Sequence, residues 1–372
     1  MIELPDGPYT VTSSGGYPPG EPPRSRVLFA AAHVVADPLG DNTPGRPAAV
    51  DWPATMAFRQ HLWRHGLAVA EAMDTAQRGM GLDWQATQEL IRRTGTEAAG
   101  PFACGAGTDQ LDGVSHKVSD VLAAYERQVG FVEDTGGQVI LMASRALAAS
   151  AAGPDDYHRV YGSLLAQATK PVILHWLGPM FDPALAGYWG SPDLDTATDT
   201  FLEIIKDNSS SVDGVKISLL DADREVALRR RLPAGVRCYT GDDFNYPSLI
   251  LGDSDGYSDA LLGIFDAIAP AAAAAVRALD SGDTATYNSI LTPTVALSRH
   301  IFSTPTYYYK TGIVFLAWLA GHQSHFKMVG GLENARTVPH LVEVFRLADK
   351  AGLLPDPDLA EHRMRAFLAV ST

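Results

Sequence analysis

Short apolar runs alternate with helical patterns along most of the chain. Val27 to Ala32 is a first apolar run of strand length. Asp51-Trp52-Pro53 then opens a helix, with Asp51 as N-cap and Pro53 in the first turn, and that helix stops near Gly66. Leu67 to Ala72 is a second strand, and Asp83 caps the next helix. Phe102 to Ala106 and Val139 to Ala143 are the third and fourth strands. Residues 156–168 carry Val160, Leu164 and Leu165 at helical spacing. Pro171 to Leu174, Gly214 to Ile217 and Val236 to Tyr239 follow as the fifth to seventh strands. The eighth is weak, either Leu249 to Leu251 or the segment near Gly256. About eight strands alternating with helices predict an α/β fold, a parallel sheet closed into a (β/α)8 barrel. The runner-up is an open doubly wound sheet, but no G-x-G-x-x-G or P-loop opens a helix after any strand.

From about residue 258 the pattern becomes helical, over 258–280, 284–302, 306–322, 337–351 and 358–369. The run Ala271 to Ala275 follows Pro270 and reads as a helix start with proline in its first turn. The expected division is an irregular N-terminal arm over 1–24, the barrel over 25–260, and a helical C-terminal extension packed on it over 261–372. The arm is rich in Gly and Pro, with Gly15-Gly16 and Pro22-Pro23.

Of the 372 residues 46% are apolar, enough to bury a large core. A net charge of −14 without a basic stripe argues against a nucleic-acid partner. It does not exclude an anionic small substrate, because a pocket needs only one well-placed arginine. Cys104 and Cys238 lack zinc-ligand spacing and read as free thiols in a reducing compartment. No basic n-region or apolar h-region opens the sequence, and no run approaches the ~20 apolar residues of a membrane span. A cytoplasmic protein with a small-molecule partner and no membrane partner is expected.

In a barrel of this kind chemistry sits on the loops after the strands. The polar groups there are His33 after the first strand, Asp74, Thr75 and Gln77 after the second, and Ser144-Arg145 after the fourth. His175 ends the fifth, Lys216 and Ser218 the sixth, and Gly241, Asp242 and Asp243 follow the seventh. Lys216 closes an apolar run, Val212 to Ser218. An amine in an apolar pocket has a lowered pKa and can attack a carbonyl to form an imine. His175 titrates near neutrality and suits acid–base work beside such an amine. Arg145 can hold a carboxylate or phosphate through two parallel bonds, and its charge would lower the Lys216 pKa if the two lie close. Asp74, Gln77 and Asp243 can bind the hydroxyls of a sugar-like substrate. Each also has a plain structural role: a core histidine, an ion-paired arginine, or a turn aspartate bonding its own backbone.

Several of these segments resemble the dihydrodipicolinate synthase and N-acetylneuraminate lyase family of class I aldolases. Gly214-Val215-Lys216 is similar to the strand that carries the family's Schiff-base lysine. Pro171 to Leu174 resembles its fifth strand, and Tyr239-Thr240-Gly241-Asp242-Asp243 the turn after its seventh. Val50-Asp51, Leu251-Gly252 and the stretch from Ala278 to Asp283 echo further parts of it. The likeness runs over residues 26 to 320 and is strongest from the fifth strand to the seventh. More specifically, the chain resembles the DUF993 group of dihydrodipicolinate-synthase-like proteins.

The resemblance implies a lyase that works through a covalent imine on Lys216, with no other cofactor, in a homo-oligomer. This sequence departs from the family at the substrate clamp. The Gly-Thr-Thr-Gly-Glu that holds a 2-oxo acid is replaced by Met73-Asp74-Thr75-Ala76-Gln77, where only Thr75 survives and Asp74 repels a carboxylate. His175 stands where the family's proton-carrying tyrosine is expected, and Ser144-Arg145 replaces a tyrosine pair. The expected reaction is therefore retro-aldol cleavage or dehydration of a small keto sugar or sugar acid, with Thr75, Ser218, Gly241 and His33 completing the substrate contacts. Two alternatives stand beside it. One is a metal-dependent barrel isomerase or hydrolase using His33, Asp74, His175 and Asp243. The other is a non-catalytic binder of small molecules. The patch Tyr307-Tyr308-Tyr309-Lys310 either lines the pocket or packs an oligomer interface.

Overall fold

The computed structural model describes residues 1–12, 16–113 and 116–371. Within the arm expected to be irregular, Ile2–Leu4 (β1) and Gly7–Tyr9 (β2) pair as an antiparallel hairpin. Ile2 and Leu4 are buried, and this anchors the pairing. Gly15, counted in that arm, lies outside the described residues.

Eight parallel strands then close into a barrel. They are Leu28–Ala31 (β3), Ala68–Glu71 (β4), Phe102–Ala106 (β5), Gln138–Leu141 (β6), Val172–Leu177 (β7), Val212–Ser218 (β8), Arg237–Thr240 (β9) and Asp259–Leu262 (β10). β10 pairs with β3 on one side and with β9 on the other, which closes the ring. The barrel expected from the alternation of strands and helices is the fold observed. The eighth strand is not 249–251 but forms just beyond Gly256, in residues the pattern assigns to the first helix of the extension. Tyr246–Leu251 is a short helix, with Pro247 in its first turn, and Asp259–Leu262 forms the strand. Four residues, three of them apolar, carry too little periodicity to separate strand from helix start. What fixes them is tertiary: Asp259 accepts the Val27 amide at 2.7 Å and pairs with Arg237 at 2.9 Å.

Helices follow the strands around the barrel. They are Trp52–Arg64 (α1), Trp84–Glu97 (α2), Val118–Asp134 (α3), Arg145–Ser150 (α4), Pro154–Gln167 (α5), Leu194–Asp207 (α6), Ala222–Arg229 (α7), Tyr246–Leu251 (α8) and Ile264–Asp280 (α9). Asp51 and Asp83 cap α1 and α2 as expected, each accepting an amide three residues on. Pro270 does not start a helix. It lies inside α9, which bends at Ile268 (φ −120°, ψ 15°), because proline lacks the amide and crowds the preceding turn. Thr284–Ile301 (α10), Tyr309–Leu319 (α11), Val338–Lys350 (α12) and Pro357–Ser371 (α13) complete the chain. Among the described residues no helix is long and apolar enough to cross a membrane. Cys104 and Cys238 are both buried free thiols.

Strand side chains alternate between the barrel interior and the helix layer. Phe29, Ala68, Ile140, Ile173, Tyr239 and Leu261 pack together as the interior floor. Gly214 belongs to this design, since a Cβ there would stand 2.6 Å from the Tyr239 ring. The outward residues meet the helices, and one of them is charged. Glu71 on β4 takes both forks of Arg59 on α1, at 2.7 and 2.8 Å, with both side chains fully buried. Thr94 of α2 and the Ala72 amide bond the same carboxylate. Arg59 also donates to the His33 and Thr55 carbonyls. The pair thus ties α1, α2 and the ends of β3 and β4 into one unit.

Removing one partner strands the other charge in the interior. Glu71→Gln should lower stability by ~3–5 kcal/mol in denaturant unfolding, and Arg59→Met with Glu71→Leu should restore most of the loss.

Candidate active site

In-register pairing decides which strand residues share the barrel mouth. Lys216 on β8 is side by side with His175 on β7 and with Tyr239 on β9. The alternation that turns Ile173 inward turns His175 and Leu177 inward too, and the same parity on β8 sets Gly214, Lys216 and Ser218 on the interior face. β7 runs on past its expected end at Leu174, so His175 lies within that strand, and β8 spans the whole run from Val212 to Ser218 with Lys216 inside it. Strand residues are held more firmly than loop residues, which suits groups that need fixed positions.

Lys216 is only 7% exposed. Burial pulls its ammonium below the usual lysine range, while Asp74 and Asp243 act in the opposite direction. A small cavity of about 20 Å³ opens onto it, lined also by Asp74, Thr75, Phe181, Ser218, Asp243 and Tyr309. Asp243 is buried as well, and burial lifts its carboxyl to about 7. Its Oδ1 accepts the Ile264 amide at 2.9 Å, which fixes the carboxyl against the start of α9. Gly241 gives the lysine its room. A Cβ at that position would stand 2.2 Å from Ser218 Oγ, 2.8 Å from the Ile217 carbonyl and 3.0 Å from Lys216 Cε.

His175 is fully buried, and its Nε2 lies 3.1 Å from Ser218 Oγ. Burial, reinforced by the neighbouring Lys216 charge, holds the imidazole well below its usual pKa, so the ring is neutral. It faces a larger cavity of about 510 Å³ between the ends of β5, β6 and β7, shared with Arg78, Thr108, Ser144, Arg145 and Asp182. Asp74 and Leu177 stand between this cavity and the lysine's.

Seven of the ten candidate residues line these cavities: Lys216, His175, Asp74, Thr75, Arg145, Ser218 and Asp243. Gly241 backs the lysine without lining either. Two others are engaged elsewhere. His33 Nδ1 lies 2.8 Å from Asp266, and its Nε2 3.0 Å from Gln323. Gln77 sits in a left-handed turn (φ 62°) and donates to the Val329 carbonyl at 2.8 Å. Neither side chain lines the cavities. The four residues of the alternative metal set are therefore not gathered at one point. Among the described residues no three His, Cys, Asp or Glu side chains are grouped to hold a metal ion. Arg145 pairs with Asp182, and its positive charge bears on Lys310, whereas Asp74 and Asp243 are the charges that act on Lys216.

Several lining residues come from segments that carry no strand-end signal. Tyr309 at the start of α11 reaches back over the mouth, bonds Thr75 Oγ1 at 2.7 Å and stacks on Phe302 with ring centroids 4.3 Å apart. The tyrosine patch of the helical segment thus lines the cavity. Phe181 and Asp182 come from the loop after β7. Arg78 holds Asp109 bidentately at 2.7 and 2.9 Å. Burial opposes ionisation of Asp109, but Arg78 overrides it and holds the carboxyl at about 2. Arg78 and Asp109 follow the second and third strands in the sequence and Tyr309 belongs to an aromatic cluster, whereas Phe181 and Asp182 had no sequence signal.

The family model for a protein of unknown function, DUF993, matches residues 9–372, and the chain belongs to that family. Comparison with curated proteins returns no match. Among solved structures the chain is similar to YagE, a prophage protein of the dihydrodipicolinic acid synthase family from E. coli K12 solved in complex with pyruvate. The two share 12% identity with a TM-score of 0.68, over 88% of this chain and 99% of that one. It is also similar to dihydrodipicolinate synthase from Aquifex aeolicus, at 13% identity and a TM-score of 0.65, over 88% of this chain and 98% of that one. At these identities the likeness establishes the barrel fold alone.

The close approach at Gly241 yields a direct expectation. Gly241→Ala should displace Ser218 and the Lys216 stem and cost about 1–3 kcal/mol in denaturant unfolding. A variant as stable as the parent would show the strand ends to be pliant.

Proposed function

We propose that this DUF993 protein is an imine-forming lyase, with Lys216 as its nucleophile. The observation that carries the reading is the pairing of two buried groups in one small cavity: an amine lowered by burial and a carboxyl lifted to about 7. Opposed shifts of this kind supply a neutral nucleophile and a proton carrier at the same pH. The shared fold with aldolases that bear the dihydrodipicolinate synthase name is consistent with it.

In this reading the neutral Lys216 amine attacks the substrate carbonyl carbon. Asp243 protonates the carbinolamine oxygen, water leaves, and a protonated imine forms. The imine then accepts the electron pair of the breaking carbon–carbon bond while a base takes the proton of the β-hydroxyl. Alternatively, it acidifies the α-carbon so that a β-hydroxyl departs as water. Hydrolysis returns the amine. Asp243 rather than His175 is the stronger candidate for the proton transfers, because it shares the lysine's cavity and its pKa lies near neutrality. His175, neutral and facing the larger cavity, suits a hydrogen bond to a substrate hydroxyl. The small keto sugar or sugar acid remains the proposed substrate class, with Asp74, Thr75 and Ser218 offering hydroxyl contacts at the mouth.

Borohydride reduction in the presence of small ketoses and keto acids should leave a mass adduct on the Lys216 peptide of the parent and none in Lys216→Ala. An active substrate that leaves no adduct would overturn the imine. Imine formation should rise with pH as Lys216 loses its proton. Asp243→Asn removes a negative charge that favours the ammonium, so the midpoint of that rise should move to lower pH. The same variant should lose ~10²–10⁴-fold in turnover, because the proton carrier is gone.

A further inference from the structure

A second buried lysine lines a cavity that shares wall residues with the first one's. Lys310, on the first turn of α11, is 3% exposed. Its Nζ lies 3.1 Å from Met80 Sδ and 3.4 Å from the Tyr307 carbonyl. The rings of Tyr309 and Tyr307 are 4.8 and 5.1 Å away. Among the described residues none of these contacts carries a formal negative charge. A buried ammonium without a contacting counter-charge is costly, and that cost is relieved when a ligand brings the anion.

The space for such a ligand is present. Lys310 lines a cavity of about 30 Å³ with Arg78, Arg145, Asp74, Asp182 and Tyr309. Arg78 is occupied by Asp109, and Arg145 Nε by Asp182. Burial brings the Lys310 ammonium down to about 8, with Arg145 acting in the same direction and the more distant carboxylates of Asp74 and Asp182 opposing it. Asp74, Leu177, Phe181 and Tyr309 line this cavity and the one at Lys216 as well. A molecule with its carbonyl at Lys216 would therefore have its far end near Lys310.

We propose that Lys310 and Arg145 form an anion subsite, which holds a carboxylate or phosphate on the substrate at the end remote from the reacting carbonyl. The ammonium acts as a point charge, and the guanidinium adds directed donors. The remote position of the anion rests on the imine reading, whereas the subsite itself rests on Lys310 alone.

The test compares trapping on Lys216 for two pairs of probes: dihydroxyacetone phosphate against dihydroxyacetone, and levulinate against its methyl ester. In the parent, the anionic member of at least one pair should half-saturate trapping at about a tenfold lower concentration. In Lys310→Met that advantage should shrink to less than about threefold. The pair that shows the effect tells phosphate from carboxylate. No anionic preference in the parent overturns the subsite, and so does an equal preference in the variant. If no probe is trapped on Lys216, the imine reading fails, and the subsite is judged by thermal unfolding with inorganic phosphate or acetate. A rise in Tm in the parent that is absent in the variant sustains it. An equal rise in both proteins, or none in the parent, overturns it. If Lys310→Met does not fold, Lys310→Gln is read by the same criteria.

Discussion

Closure of the sheet is the constraint on which the remaining structure depends. Once β10 bonds β3, every strand has two neighbours, and every second side chain points at a shared axis. The floor around that axis is filled by Phe29, Ile140, Ile173, Tyr239 and Leu261. A side chain one layer above it, such as Lys216, stands on apolar material and is walled by adjacent strands. The lysine is desolvated by the geometry of the ring more than by any single contact. The glycines at 214 and 241 are consequences of the same closure, because the Tyr239 ring and the lysine stem need the volume that a Cβ would take.

The charges around the mouth fall into two kinds. Arg59 with Glu71, and Arg78 with Asp109, are satisfied by bidentate partners and hold elements together. Lys216, Asp243 and Lys310 are buried without such partners, and their pKa values move toward neutrality. Arg78 holds the Asp109 carboxyl away from neutrality, whereas groups left unpaired by burial are brought toward it. That difference separates the paired charges of the scaffold from the desolvated groups of the mouth more cleanly than position along the chain does.

Much of the fold was legible because barrel strands are short apolar runs with capped helices between them, and Asp51 and Asp83 marked two helix starts correctly. Asp259 to Leu262 was not, since four residues hold too little period and the contacts that fix them come from Val27 and Arg237. Pro270 misled for a related reason: the fold tolerates a bend at Ile268 that local propensity does not predict. At the mouth, Lys216, Asp243 and Asp74 could be found because they stand near the ends of strands. Tyr309 and Lys310 could not be assigned, because they arrive from a helix far along the chain. His33 and Gln77 obey the strand-end rule yet turn to other partners, Asp266 and the Val329 carbonyl. The sequence position of a polar residue says that it is near the mouth, not which way it faces.

The bond between Thr75 and Tyr309 carries a consequence for the order of assembly. All eight strands are complete by residue 262, but one wall of the lysine's compartment is supplied by Tyr309. A chain that emerges from its N-terminus has Lys216 and Asp243 before it has that wall. The compartment is finished only when α11 docks and Tyr309 settles on Phe302 and Thr75. The compartment therefore matures after the scaffold does, and the helices beyond the barrel are part of its wall rather than an ornament on it.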